Sequence, residues 1–425
     1  MSWNRRYHLK IYIRSSLWVM PALSIILALV FVAQLGRYED SIGSHTSISA
    51  DNMRLIMSTI AGSTFTLVVL VSSAVLLAIQ LASAQLTPRI IAMVYRNPYQ
   101  KLAFSVFVFT FTFSAGLLVR IEDSAPLVAS YIAAYGFLLC LALFILFIDN
   151  VGKMLRPSSA VRMVALLGRS VIRAAYPDRL KEGSVAPVAL KEITSEESRT
   201  VLSTIDGTVL AFNMKGLVSL AQRYDCVIDF VPEVGQFVAE GDALFRIYRG
   251  GDGLTDNLLR NSVAKGDERT PEQDPLFAFR ILVDIACKAL SPAINDPTTA
   301  VLSIDQIHHL LRDVGKRNLG LGRETDPTGK IRLIYRRPNW ADFVLLATTE
   351  IRHYGRDSIQ VQRRLRAMLK DLIETLPSER APVLEKELAL LAMSSRRTFQ
   401  DVDDQTLAEA GDLQGIGGSY NDFEP

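Results

Sequence analysis

Residues 58–85 read STIAGSTFTLVVLVSSAVLLAIQLASAQ, and no charged side chain stands between Arg54 and Arg89. About twenty apolar residues, each rising 1.5 Å, cross a hydrocarbon core of about 30 Å. This stretch is long enough to span a membrane as a helix. Its polar residues are ordered: Thr59, Thr66, Ser73 and Gln80 stand at every seventh position. That spacing returns to nearly the same helix face, drifting by about 20° per repeat. Such a face has something other than lipid to meet. One reading is other helices, which interhelical hydrogen bonds join at about 0.6 kcal/mol each. The other is a water-filled path lined by several copies around an axis.

Three more apolar runs surround it. Residues 17–35 follow an arm bearing Arg5, Arg6, Lys10 and Arg14 and no acid. The run exceeds the roughly 7–15 residues of a signal-peptide core, so it reads as a retained anchor. Residues 102–119 are rich in phenylalanine, and residues 127–148 come after the turn RIEDSAP (120–126). Between the second and third runs, Thr87 can cap a short surface helix that Pro88 opens, RIIAMVYR (89–96). Lysine and arginine gather in the N-terminal arm, in residues 89–101, and after the fourth run at Lys153, Arg156, Arg162, Arg169 and Arg173. The two remaining loops match or outweigh their arginines with acids. The positive-inside rule then gives four crossings with both termini cytoplasmic. No Asp, Glu, Lys or Arg lies deep in a run, which speaks against proton-coupled pumping.

The 425 residues are 49% hydrophobic and 21% charged, but the long apolar runs precede Asn150 and most of the charge follows it. A formal net charge of +2 excludes a dedicated nucleic-acid binder, which would carry a concentrated basic face. Cys140, Cys226 and Cys287 lie far apart without metal-site spacing, and read as reduced structural thiols.

The expected fold is therefore membrane α-helical: a four-helix transmembrane domain (1–155) followed by a cytosolic α+β region. A helical connector (156–199) comes first. Ser158 or Ser159 caps a helix to Ala175, with Val161, Val164, Leu167 and Val171 on one face and Arg162, Arg169 and Arg173 on another. The basic face either meets anionic headgroups or is an ordinary solvated surface. Residues 200–250 switch to strand-like periodicity, with turns at Asp206-Gly207 and Glu240-Gly241-Asp242. VGQFVAEGDALFRI (234–247) resembles the half-motif of biotinyl/lipoyl-type barrel-sandwich domains. The turn that would carry a modified lysine is Tyr248-Arg249-Gly250-Gly251, and Lys215 is misplaced for it. No cofactor is expected. A polar linker (251–273), a helical domain (274–400) and an acidic tail (401–425) complete the chain. The tail holds seven acids and no lysine or arginine and reads as disordered.

DIACKALSPAINDPTTA (284–300), LASAQLTPRI (81–90) and EIRHYGRDSIQVQRRL (350–365) together resemble an uncharacterised family of predicted bacterial membrane proteins, a domain of unknown function. The likeness runs from the first span to about residue 375, and its ALSPxxNDP block is the specific part. It implies a bacterial inner-membrane protein with a cytosolic C-terminal part, and brings no catalytic residues with it.

Two constellations remain as candidate sites. Arg280 and Asp284 can pair one turn apart, and Ser291, Asn295 and Asp296 surround a turn. Ser291-Pro292 and Asp296-Pro297 each set a capping side chain before a proline, so the corner is either a double helix cap or an anion site at a helix N-terminus. Asp305, His308 and His309, and separately Glu350 and His353, have ligand-like spacings, yet neither set brings a third ligand, and no metal site is expected. Without a phosphate loop, nucleophile elbow or HExxH motif, the chain is not expected to be an enzyme. Two functions stay open: an oligomeric, channel- or transporter-like protein with a cytosolic gating domain, or a membrane-tethered sensor or scaffold. The expected partners are the lipid bilayer, further copies of the chain, and an unspecified small ligand or ion.

Overall fold

The computed structural model describes residues 1–42, 48–91, 95–121, 126–180 and 197–418. It divides into two compact units, Lys10–Ser159 and Met1–Leu9 with Ala160–Pro425. Parts of the RIIAMVYR helix, the RIEDSAP turn and the connector lie outside the described residues, as does the end of the acidic tail.

After α1 (Trp3–Ser15) come α2 (Val19–Ile42), α3 (Ala50–Gln85), α4 (Pro98–Leu118) and α5 (Leu127–Met154). These four are long and apolar enough to cross a membrane, and they stand where the apolar runs placed them. Local chemistry sets their starts. Ser49 Oγ accepts from Asn52 N at the head of α3, and Asn97 Oδ1 accepts from Tyr99 N ahead of Pro98. The bundle centre is filled by Met57, Phe113, Leu117 and Ala133. Small residues allow close crossings: a Cβ on Gly136 would come within 3.3 Å of Thr110, and one on Gly116 within 3.2 Å of Val32. Charges sit at the ends. The Glu39 carboxylate accepts the N–H groups of Val128 and Ala129 (2.5 and 3.1 Å), where the dipole of α5 favours an anion. Lys101 Nζ donates to the last carbonyls of α1, Ile13 O and Arg14 O (3.2 and 2.6 Å).

In the other unit, α6 (Pro157–Ala175) leads to β1 (Glu197–Leu202), β2 (Gly207–Phe212), α7 (Met214–Arg223), β3 (Val227–Phe230), β4 (Phe237–Val238) and β5 (Ala243–Tyr248). Two sheets form. One runs β4-β2-β6, and the other β1-β5-β3-β8-β7, antiparallel except for the parallel pair β3–β8. The strands β6 (Val263–Gly266), β7 (Gly322–Thr325) and β8 (Ile331–Tyr335) come from outside residues 200–250. The β-unit is thus not closed at Gly250. Residues 251–273 are also not a linker: they contain α8 (Asp256–Arg260) and β6, which pairs with β2. Their polar surface positions concealed the buried Leu259, Val263 and Ala264. Phe212, Phe230, Phe245 and Tyr335 join the sheets, with ring centroids 4.8–5.3 Å apart.

The helical layer comprises α9 (Pro275–Ala289), α10 (Pro297–Val314), α11 (Trp340–Tyr354), α12 (Ile359–Thr375), α13 (Ala381–Thr398) and α14 (Val402–Glu409). In α6, Gly168 permits close approach to α9 and α10: a Cβ there would meet Ala278 Cβ at 2.5 Å and Leu310 at 3.3 Å. The N-terminal residues join this unit through Asn4 N–H on Asn261 O (3.2 Å) and Tyr7 Oη with Thr270 Oγ1 (3.5 Å). The acidic tail, read as disordered, is ordered through residue 418. Buried Asp412 accepts the N–H groups of Gln414, Gly415 and Gly417 (2.9, 2.9 and 2.7 Å). Arg363 of α12 donates to Gly417 O at 3.0 Å, and Gln360 to Gly415 O at 2.7 Å. Cations within the fold, invisible in the tail's own composition, hold it down.

Candidate functional site

On α3 the heptad residues Thr59, Thr66, Ser73 and Gln80 are all exposed and face away from the other helices of the chain. The packed face carries Met53, Met57, Ile60, Ala61, Thr64, Val71, Val75 and Ala78. Among the described residues the stripe therefore packs on no helix of its own chain, which leaves contact with further copies or a path lining as its readings. Apolar and small residues filled the interface, and the hydroxyls turned back to their own helix: Thr59 to Leu55 O (2.8 Å), Thr66 to Gly62 O (2.9 Å) and Ser73 to Val69 O (3.0 Å).

The corner at Ser291–Asp296 is built as a helix cap. Asp296 accepts from Thr299 N (3.0 Å) and Thr299 Oγ1 (2.5 Å), and its own N–H closes on Ala289 O (2.8 Å). Asn295 takes a left-handed conformation (φ 46°) that asparagine tolerates. Ser291 does not cap forward and Pro292 opens no helix; Ser291 Oγ donates back to Lys288 O at 2.7 Å. Arg280 pairs with Asp284 (2.5 Å) as the spacing required, and also grips both oxygens of Glu350 (2.6 and 2.7 Å). The cap and this pairing are held by different partners: Asp296 by Thr299, and Arg280 by Asp284 and Glu350.

The ligand-like spacings are spent on ion pairs. Glu350 is committed to Arg280. Arg364 binds Asp305 through Nε (2.6 Å) and donates from Nη2 to His308 Nδ1 (3.1 Å), while His308 Nε2 meets Asp371 Oδ2 (2.7 Å). Burial is the main force that lowers the His308 pKa; the Asp371 contact opposes it and the Arg364 charge adds to it. His353 is exposed.

Side chains that no motif announced line a cleft of about 850 Å³ in the C-terminal unit. The end of α6, the 318–321 loop, β8, the start of α11 and the turn at Arg380 surround it. Arg337 donates to Ala175 O (2.7 Å) and to Gly320 O (2.7 and 3.0 Å), and lies over the rings of Tyr176 (4.8 Å) and Tyr335 (5.8 Å). Arg380 donates to Gly315 O (3.2 Å) and Arg317 O (2.8 Å) and lies 5.5 Å over Trp340, whose Nε1 donates to Arg380 O (3.0 Å). Burial pulls the Arg380 pKa down. Both guanidiniums are bonded to carbonyls. Of the acids in the lining, Asp178 and Glu379 stand exposed at the margin, and half-buried Glu324 accepts from Tyr335 Oη (3.2 Å). A smaller cavity of about 150 Å³, bordered by Tyr176, Phe212 and Pro275, shares the Tyr335–Arg337 wall. A polar mouth with an apolar annex suits a small ligand better than a chemical step. The sequence signal was YRRPNW (335–340), where two adjacent arginines stand between two aromatic rings.

Residues 14–371 match the family described as predicted membrane protein (DUF2254). Similar chains are an uncharacterized protein of Mycobacterium bovis and uncharacterized proteins of two Mycobacterium tuberculosis strains. Each is 25% identical over 430 residues, covering 95% of this chain and 81% of the relative. No solved structure matches the chain.

Proposed function

We propose, for a chain that belongs to the DUF2254 family of predicted membrane proteins, a membrane-tethered binding protein: the four spans anchor it and the C-terminal unit takes up a small anionic ligand. The carrying observation is the cleft at Arg337 and Arg380, two half-buried guanidiniums that form no ion pair among the described residues, beside Trp340 and Tyr335. A ligand with a negative group would gain charge-assisted hydrogen bonds there. The test uses the emission of Trp340. Full-length protein in detergent is titrated with citrate and with mononucleotides. At least one is expected to change the emission saturably, with binding at least tenfold weaker in Arg380→Gln and no signal in Trp340→Phe. No saturable change with any of them refutes the reading.

Folding of Met1–Leu9 with Ala160–Pro425 supports an even number of crossings, since the two segments must lie on one side. The basic loops support the cytoplasmic side of a bacterial inner membrane.

A second reading is an oligomeric channel- or transporter-like protein, favoured by the outward stripe of α3. Gln80 is exposed on a helix meant for lipid, and further copies would cover it. Flux through liposomes that changes on Thr66→Val or Ser73→Ala supports this reading, and complete absence of flux removes it.

A further inference from the structure

A second concavity, about 390 Å³, lies between α6 and α10, away from the cleft. Arg162, Leu166 and Arg169 border it on one side and Gln306 and His309 on the other. The local charge is one-sided. Arg169, Arg173 and Arg317 share a single carboxylate, Asp313 (3.3, 3.4 and 3.2 Å). Arg162 is exposed and makes no ion pair among the described residues. The nearby Asp305 carboxylate is taken by Arg364 at 2.6 Å. Four guanidiniums against one available carboxylate leave a positive groove, and its centre is apolar, since Leu166 is 57% exposed. Only Leu155 and Arg156 separate α6 from the last span, α5. Arg162 stands eight residues after Met154, and eight residues of chain reach at most about 28 Å, which tethers it near the end of the last span.

We propose that this groove is a binding site for an anionic phospholipid of the surrounding bilayer. The phosphodiester sits between Arg162 and His309 with Arg169 alongside, and the glycerol end lies on Leu166. Arg162 supplies a planar fork matched to phosphate oxygens, and Gln306 adds an amide donor. A juxtamembrane cation contributes about 1 kcal/mol toward an anionic surface, so several in one groove select charge strongly. The site is independent of the ligand cleft, shares none of its residues, and stands or falls without it.

The test uses full-length protein in detergent, with thermal unfolding and native mass spectrometry as readouts. Dioctanoyl phosphatidylglycerol, dioctanoyl phosphatidylcholine and inorganic phosphate are the probes. Phosphatidylglycerol is expected to raise the melting temperature and to remain bound in the gas phase, and the other two are not. Arg162→Gln is expected to weaken phosphatidylglycerol binding at least tenfold with the lipid-free melting temperature unchanged, and His309→Gln to weaken it less. Equal binding of phosphatidylcholine, displacement of the lipid by millimolar phosphate, or unaltered binding by Arg162→Gln overturns the proposal.

Discussion

His308 shows how far a single residue can be read before its neighbours are known. Its spacing from Asp305 looked like a ligand pair, but Arg364 arrives from a helix almost sixty positions later and binds both. With Arg364 donating to Nδ1, the ring is neutral and Nε2–H points at Asp371. The folded pKa lies below the ordinary value of 6.5, so the unfolded chain binds the proton more readily. The contribution of His308 is complete above about pH 6.5 and is lost as pH falls from there toward the folded pKa. Chemical denaturation of His308→Asn is expected to show a flatter loss of stability between pH 7 and pH 5 than the parent. Thiol chemistry gives a second outcome. Burial pushes Cys226 up to about 11 and, with Glu350 adding to it, Cys287 up to about 12. Iodoacetamide at pH 8 is expected to leave both unmodified until the protein is denatured. Thiol burial was within reach of the apolar context, whereas the Arg364 bridge was not, because no local spacing records a contact between distant helices.

Elements were more legible than contacts. Apolar length alone located α2 to α5, since a bilayer demands a fixed number of residues. Asp296-Pro297 announced the start of α10 through capping chemistry that needs only neighbours in sequence. Asp296→Ala is expected to cost about 1 kcal/mol in thermal unfolding. Gly168 gave no such notice, because its role is defined by Ala278 on another helix. Adding a methyl there forces α6 from α9, and Gly168→Ala should destabilise by about 1–3 kcal/mol. Gly152→Ala meets nothing within 4 Å and serves as the control, gaining about 0.5–1 kcal/mol of helix propensity. The tail was misread for a related reason. Its composition is that of a disordered segment, and it is held by Arg363 and Gln360 of α12. Truncation after Gln400 is therefore expected to lower the melting temperature, where an unstructured tail would leave it unchanged.

At the scale of the molecule, α1 joins its first residues to a segment some 250 positions later. Its first residues pack beside Asn261 and Thr270, and the proposed four-crossing topology then requires residue 2 and the C-terminal unit to share one face of the membrane. Cysteine introduced at Ser2 or at Gly250 should react with a membrane-impermeant maleimide from the same side, and cysteine at Ser41 from the opposite one. Ser41 labelling together with Gly250 would overturn the four-crossing topology. The basic arm of α1 was readable as a topology signal. Its docking was not, because both partners lie in the region that read as a linker.

That docking imposes an order on biosynthesis. Residues 1–9 are made before any of the spans, and their partners are synthesised some 250 positions later, a wait of roughly ten to fifty seconds at about 5–20 residues per second. Through that interval the leading helix has no mate, and the translocon must seat every span before one can appear. A ribosome stalled between residues 160 and 260 would therefore carry an inserted bundle whose front end is still exposed to proteases and chaperones.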